Sequence, residues 1–111
     1  MKQHLVSLLS QPTTQFSDVI SWIDQHYSFT PTQFHNGALL NEANQNNGSC
    51  KVFALARALG LSQEQTLSLF CEHYQAVLEH PEGADHQNIR QFMAEGFAGL
   101  RFAGEALSPR G

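Results

Sequence analysis

Three residues whose side chains suit nucleophilic or acid–base chemistry fall near two predicted helix starts. Cys50 lies in the first turn of one predicted helix, where unpaired backbone N–H groups and the helix dipole favour a thiolate. His86 follows Asp85 at the start of the last predicted helix. A cysteine facing a histidine has the parts of an activated thiol nucleophile, and Asp85 or Glu42 would orient the imidazole. Cys50, His86 and Asp85 are therefore the candidate catalytic residues.

Each of these residues also has a purely structural interpretation. Free cysteine is among the most buried residue types, so Cys50 packed under a loop is the more common arrangement. A buried histidine often holds a loop by one hydrogen bond, and Asp85 is a good helix N-cap. Cys71 falls on the apolar face of its predicted helix, whereas Cys50 lies away from the apolar stripe of its own helix. The sequence leaves both interpretations of Cys50 and His86 open.

Side-chain amides gather just before the Cys50 helix, in the segment 41–48. An irregular polar loop of this kind in a compact domain is often functional, because packing alone does not require it. Asparagine is most often a turn or cap residue, and that interpretation stays open for Asn36 and Asn47. The residues predicted to bind a ligand are Asn36, Asn41, Glu42, Gln45, Asn47, Ser49, Asn88 and Arg90.

Six histidines in 111 residues raise the question of a metal site, but their spacing does not support one. His73 and His80 share a predicted helix face, yet seven residues of helix rise about 10.5 Å, too far for one metal ion. The chain contains no common metal-binding motif of paired cysteines or histidines. We predict no metal and no other cofactor.

Composition excludes several classes of function. The net charge is −4 and no basic cluster occurs, which argues against nucleic acid or an anionic membrane as a partner. Two cysteines are too few for a disulfide framework, and no apolar window approaches the ~20 residues of a membrane span. We find no hydrophobic signal peptide and predict a cytosolic protein, or one exported by a route that reads no such signal.

Helical periodicity dominates the chain and predicts one mainly α domain spanning residues 1–111, with about five helices. Ser62 and Gln65 predict a capping box at the start of the fourth helix, and Asp85 is the predicted cap of the fifth. Segment 100–102 is expected to pair with the segment near Phe34 as one short two-stranded sheet. The predicted helices span residues 2–10, 15–27, 49–59, 62–80 and 86–95.

Three segments carry a resemblance to a known protein family. They are the NG…NE…QNNGSC pattern of residues 36–50, the HPEGADHQNIR pattern of residues 80–90, and the FAGEAL pattern of residues 102–107. These patterns resemble the HopJ type III effector family over about residues 16–107. The family usually has glycine where this chain has Cys71, and it tends to have tryptophan where Phe97 stands. The resemblance implies delivery into a host cell by type III secretion, and it supplies no catalytic residue, substrate or cofactor.

Two classes of function follow from these patterns. In the first, the chain is an effector-like binding protein that acts by contact with a host or bacterial protein. In the second, it is a small thiol-dependent enzyme that uses Cys50 with His86 in an asparagine-rich pocket. The small size of the chain favours the contact role, while enzymatic activity and oligomeric state stay undecided at this level. A deep polar pocket at Cys50 would favour the enzyme, and a flat apolar patch would favour the binder.

Overall fold

The computed structural model describes residues 5, 7, 8, 11 and 13–110. The predicted helix over residues 2–10 therefore lies largely outside the described residues, although Leu5, Ser7 and Leu8 are helical. The α-helices of residues 13–110 are α1 (Phe16–His26), α2 (Asn47–Leu59), α3 (Gln63–Ser68), α4 (Glu72–Glu79) and α5 (Gln87–Glu95), and a 3₁₀ helix spans Gly96–Gly99. The strands are β1 (Tyr27–Phe29), β2 (Phe34–Asn36), β3 (Leu39–Asn41), β4 (Leu100–Phe102) and β5 (Leu107–Pro109).

The fold is mixed α+β, so the prediction of a mainly α domain with one strand pair is wrong. Helices make up 53% and strands 15% of the described residues, and the strands form two sheets. β1 pairs with β5, while β2 lies between β3 and β4. The predicted pairing near Phe34 is confirmed, because Phe34 lies opposite Phe102 in the antiparallel β2–β4 register. Strands of three residues are too short to show a clear apolar alternation, which is why the others were missed.

Helix α1 forms where its apolar spacing predicted it. The Asp18 carboxylate accepts the Gln15 N–H at 2.9 Å at the start of the helix. The Phe16 N–H donates to Glu72 Oε1 at 2.7 Å, which ties the start of α1 to the start of α4. Val19 and Ile23 are fully buried, and this face of α1 packs against α2. None of the helices in the described part of the chain is long and apolar enough to cross a membrane.

Phe53 of α2 lies at the centre of the core. Its ring contacts three other aromatic rings, with centroids 4.9 to 6.0 Å away. These rings are Phe34, Phe70 and Phe92. These three rings belong to β2, to the turn after α3 and to α5. The buried Phe53 side chain therefore packs α2 against all three of these segments.

The predicted helix over residues 62–80 is in fact two helices. Its capping box is confirmed, since the Ser62 hydroxyl accepts the Gln65 N–H at 3.0 Å and the Gln65 side-chain Oε1 accepts the Ser62 N–H at 2.9 Å. The chain then leaves the helix after Ser68 and re-enters one at Glu72. At Cys71 the backbone has φ +51° and ψ −118°, a conformation that glycine adopts far more readily than other residues. No glycine or proline marks this break, so apolar periodicity predicted a continuous helix.

Replacing Cys71 by glycine should raise the free energy of unfolding by about 1 kcal/mol. Glycine relieves backbone strain of ~1–3 kcal/mol at the positive φ of position 71. It also gives the unfolded chain more conformational freedom, which offsets roughly 0.5–1 kcal/mol of that gain. Urea denaturation measures the change. Cys71→Ala is the matched control, because it removes the thiol but keeps the Cβ and the strain. An equal gain in Cys71→Ala would attribute the effect to the thiol instead.

Two helix starts differ from the prediction. α5 begins at Gln87, and His86 rather than Asp85 occupies the N-cap position, with φ +50° and no side-chain cap. α2 begins at Asn47 rather than at residue 49, and its N-cap, Asn46, is also left-handed, with φ +53° and no side-chain cap. The first backbone N–H groups of both helices are therefore left without a capping side chain.

Candidate functional site

The starts of α2 and α5 contribute to one cleft with a volume of about 500 Å³. Four of the predicted site residues line it: Ser49, Asp85, His86 and Asn88. The other lining residues are Phe16, Asn46, Gly48, Phe70, His73, Ala84, Gln87 and Ile89. The segment that precedes α2 and the segment that precedes α5 therefore meet, as the polar patterns of the sequence suggested.

A continuous series of four rings lines this cleft. Phe70 stacks on Phe16 with centroids 5.7 Å apart, Phe16 meets His73 edge-on at 5.0 Å, and His73 meets His86 at 5.0 Å. Neither His73 nor His86 forms a hydrogen bond with the described residues through its ring nitrogens. Asp85 Oδ2 lies 3.9 Å from the Nε2 atom of His86, too far for a hydrogen bond. The ring nitrogens of both imidazoles are thus available to a ligand.

Gly48 allows the ring series to pack against the start of α2. A Cβ at this position would lie 3.0 Å from two carbons of the Phe16 ring, closer than ordinary packing permits. Gly48 and its neighbour Ser49 both line the cleft. An aromatic surface and the uncapped start of a helix are therefore in direct contact at this point.

Asp85 and Arg90 hold the turn that precedes α5. Arg90 donates to the Asp85 carboxylate at 2.8 Å, to the Asp85 carbonyl at 2.6 Å and to the Pro81 carbonyl at 3.1 Å. The hydrogen bond from Arg90 is the main cause of the lowered pKa of the Asp85 carboxyl. Asp85 is thus an ionised partner of Arg90 and is not hydrogen-bonded to the His86 imidazole.

Three asparagines form a buried network beside the cleft. Asn41 and Asn88 exchange amide hydrogen bonds, with Asn41 Nδ2 to Asn88 Oδ1 at 3.1 Å and Asn88 Nδ2 to Asn41 Oδ1 at 2.9 Å. Asn36 Nδ2 donates to the Asn88 carbonyl at 2.9 Å and to Asn88 Oδ1 at 3.0 Å. Asn46 Nδ2 donates to Asn41 Oδ1 at 2.6 Å. The network therefore connects β2, β3, the N-cap of α2 and the first turn of α5.

The amides of Asn36 and Asn41, both predicted to bind a ligand, are used inside the protein. Asn36 is fully buried, Asn41 is 2% exposed and Asn88 is 7% exposed. The Asn36 Oδ1 atom is buried and has no hydrogen-bond partner among the described residues. Because the amide donors of all three face one another, the network serves first to position the helix starts, and Asn88 alone of the three lines the cleft.

The other predicted loop residues lie outside the cleft lining. The Glu42 N–H donates to Gln45 Oε1 at 3.0 Å, and the Gln45 N–H donates to the Glu42 carbonyl at 2.9 Å. Both residues are exposed, and their contacts close the loop between β3 and α2. Asn47 is half-buried at the first position of α2, and its side chain forms no hydrogen bond with the described residues.

Cys50 belongs to the hydrophobic core, although it lies off the main apolar stripe of its own helix. It is 1% exposed, its Sγ lies 3.7 Å from the Thr32 carbonyl, and it is not among the residues that line the cleft. Burial raises the pKa of the Cys50 thiol to about 11. A nucleophilic cysteine needs the opposite shift, since the thiolate is the reactive form. The geometry thus brings His86 and Asp85 into the cleft without Cys50.

Alkylation of Cys50 should be roughly 100-fold slower in the native protein than in the unfolded chain at about pH 8. A pKa of about 11 leaves very little thiolate at that pH, and burial blocks the reagent as well. Iodoacetamide labelling of the Cys71→Ala protein, followed by mass spectrometry, measures the rate. The His86→Asn variant should label equally slowly. Rapid native labelling that disappears in His86→Asn would restore the activated cysteine–histidine pair.

Sequence reasoning did not assign His73, Phe16 or Phe70 to the site. His73 follows Phe70 by three positions, so its proximity to a buried aromatic was the one local signal. The placement of Phe16 over Gly48 depends on how α1 packs, which has no local signature. Within the described residues, no group of three His, Cys, Asp or Glu side chains is placed to hold a metal ion.

Comparisons with known proteins identify relatives of this chain. A family model described as HopJ type III effector protein matches residues 1–107. A solved structure described as "Crystal structure of unknown function protein VPA0580" is 44% identical and superposes with a TM-score of 0.91. The match covers 99% of this chain and 93% of that one. No curated protein matches the chain.

Proposed function

The chain belongs to the HopJ type III effector family, and from this membership we propose that it is a small binding protein that acts by contact through the cleft at the starts of α2 and α5. The family is one of type III effectors, which implies secretion by bacteria. In this proposal the protein resides in the bacterial cytoplasm before export by type III secretion. Its partner is a protein of the host or of the bacterium.

The observation that carries this proposal is the meeting of two uncapped helix starts and two unpartnered imidazoles in one cleft. A cleft of about 500 Å³ lies within the ~300–1,000 Å³ range of small-molecule sites and accepts a ligand or one or two partner side chains. Its lining combines apolar surface from Phe16, Phe70 and Ile89 with the ring nitrogens of His73 and His86, which form no hydrogen bond with the described residues. Apolar area with a few fixed polar groups is the usual composition of a binding site.

The competing thiol-enzyme hypothesis lacks a comparable observation. Cys50 is buried beside Thr32, and the pKa of its thiol is raised rather than lowered. Cys71 is only half-buried, but burial also raises its pKa to about 11. Both shifts oppose the thiolate that such an enzyme needs. Contact through the cleft is therefore the function that the geometry supports better.

Site-specific photocrosslinking tests the proposal. A photoreactive benzoylphenylalanine at Ala84, on the rim of the cleft, should capture a discrete partner from a host or bacterial lysate. The same probe at Ala58, which is exposed on α2 and outside the cleft lining, is the position control. We expect capture from position 84 alone.

Variants of two histidines, one inside the cleft lining and one outside it, serve as the matched variants for this experiment. His86→Asn removes the imidazole while keeping a residue that tolerates the left-handed backbone, and it should abolish capture. His80→Asn changes an exposed histidine outside the cleft lining and should leave capture intact. Capture that is equal from both probe positions, or that is unaffected by His86→Asn, would show that the cleft is not the contact site.

A further inference from the structure

Resting on the proposed function, we propose that the group recognised in this cleft is an aromatic ring that carries an anionic oxygen group, such as an aryl phosphate or an aryl carboxylate. The inference combines two features of the lining. One is the aromatic series of Phe70, Phe16, His73 and His86, and the other is the set of unpartnered imidazole nitrogens on the last two of these rings.

The ring series accounts for the aromatic part of the ligand. Centroid separations of 5.0 to 5.7 Å show that each ring already packs on the next, which is the spacing of favourable aromatic pairs. Phe16, His73 and His86 are only half-buried, so part of their ring surface faces the cleft. A planar ring that enters the cleft extends this series and removes the remaining apolar area from water.

The imidazoles account for the anionic part of the ligand. An imidazole donates through one nitrogen when neutral and through both when protonated, and the His73 and His86 rings lie 5.0 Å apart. Two such donors can contact the same oxyanion. The amide network cannot serve this purpose equally well, because its Nδ2 donors are already bound within the protein.

The carboxylates around this histidine pair are already engaged by donors from the protein itself. Asp85 binds Arg90 at 2.8 Å, Glu72 accepts the Phe16 N–H at 2.7 Å, and Asp18 on α1 accepts the Gln15 N–H at 2.9 Å. Neither α2 nor α5 has an acidic residue in its first turn. Of these three carboxylates, Asp85 is paired with the Arg90 guanidinium, while Glu72 and Asp18 are each hydrogen-bonded to a backbone N–H.

Titration with small probes tests this assignment. Phenyl phosphate and benzoate combine ring and anion, inorganic phosphate supplies the anion alone, and phenol supplies the ring alone. We expect at least one combined probe to bind roughly 10-fold more tightly than either single-feature probe. Calorimetry gives the affinities, and the imidazole proton resonances show whether His73 and His86 are the residues contacted.

Matched variants locate the site. His73→Ala and His86→Asn should each weaken binding of the combined probe by roughly 5-fold or more, and His80→Asn should not change it. A phosphotyrosine residue within a short peptide distinguishes the source of the group. Tighter binding of the peptide than of phenyl phosphate assigns the group to a protein partner, and binding that is no tighter assigns it to a free small molecule.

Two results would overturn the assignment. In the first, neither combined probe binds more tightly than inorganic phosphate or phenol. In the second, binding is insensitive to both His73→Ala and His86→Asn. If either occurs while photocrosslinking from position 84 still depends on His86, only the ligand class is wrong. If crosslinking also fails, the cleft itself is not the binding site.

Discussion

Replacing Asn88 by alanine should lower the free energy of unfolding by about 3 kcal/mol. The change removes both amide bonds to Asn41 and one of the two bonds from Asn36. Asn41 Nδ2 is then left in the interior without a partner, and an unsatisfied buried donor costs ~1–3 kcal/mol. The lost side chain adds a cavity between β2, β3 and α5. Urea denaturation followed by far-UV circular dichroism measures the change.

Asn47→Ala is the matched control for this prediction. Asn47 is half-buried at the first position of α2, and its side chain forms no hydrogen bond with the described residues, so the same substitution should cost less than about 0.5 kcal/mol. The double variant Asn41→Ala/Asn88→Ala should lose less stability than the sum of the single variants, because they share their hydrogen bonds. Additive losses, or a loss below about 1 kcal/mol in Asn88→Ala, would contradict the network.

The same network explains which parts of the site were predictable from sequence. The amide-rich segment and the segment 85–88 stand out by composition alone, and both contribute residues to the cleft. The partner of an asparagine side chain, however, is set by packing between distant segments. Asn36 and Asn88 lie in different elements, so sequence analysis identified these residues as polar without showing that they bind each other.

Cys50 illustrates a second limit of local reasoning. A helical wheel places it away from the Val52, Leu55 and Leu59 stripe, and that observation is accurate for a helix covered on one side. α2 is instead covered on several sides, since it packs against α1, α3 and β5. A residue off the main stripe is then buried as well. Composition does not reveal how many neighbours a helix has, so burial of Cys50 could not be read from its position.

The fold was predictable where a structure depends on neighbouring residues. The α1 spacing and the Ser62 capping box each operate within a turn or two of helix, and both formed as predicted. The break at Cys71 and the left-handed N-cap at His86 depend on backbone conformations that these residue types disfavour. Tertiary packing imposes such conformations against local preference, so the neighbouring sequence does not predict them.

Replacing Gly99 by alanine should lower the free energy of unfolding by about 2–3 kcal/mol. A Cβ at this position would lie 2.8 Å from the Gly37 nitrogen and 3.2 Å from the Gly37 Cα. It would also lie 2.8 Å from Glu95 Oε2, but that side chain can rotate away. The Gly37 backbone has no such freedom, because its N–H donates to the Gly99 carbonyl at 2.8 Å. The clash therefore separates the β2–β3 turn from the segment after α5.

Gly104→Ala is the control, since the nearest atom to its Cβ is Thr32 Cγ2 at 4.0 Å and the residue is exposed. It should change stability by less than about 0.5 kcal/mol. Gly37 directly follows Asn36, so displacing this turn also moves Asn36 away from Asn88. Gly99→Ala combined with Asn88→Ala should therefore cost less than the sum of the two changes. Equal unfolding midpoints for Gly99→Ala and Gly104→Ala would mean that the turn moves freely, and the close approach of these two glycines would then contribute nothing to the position of the amide network.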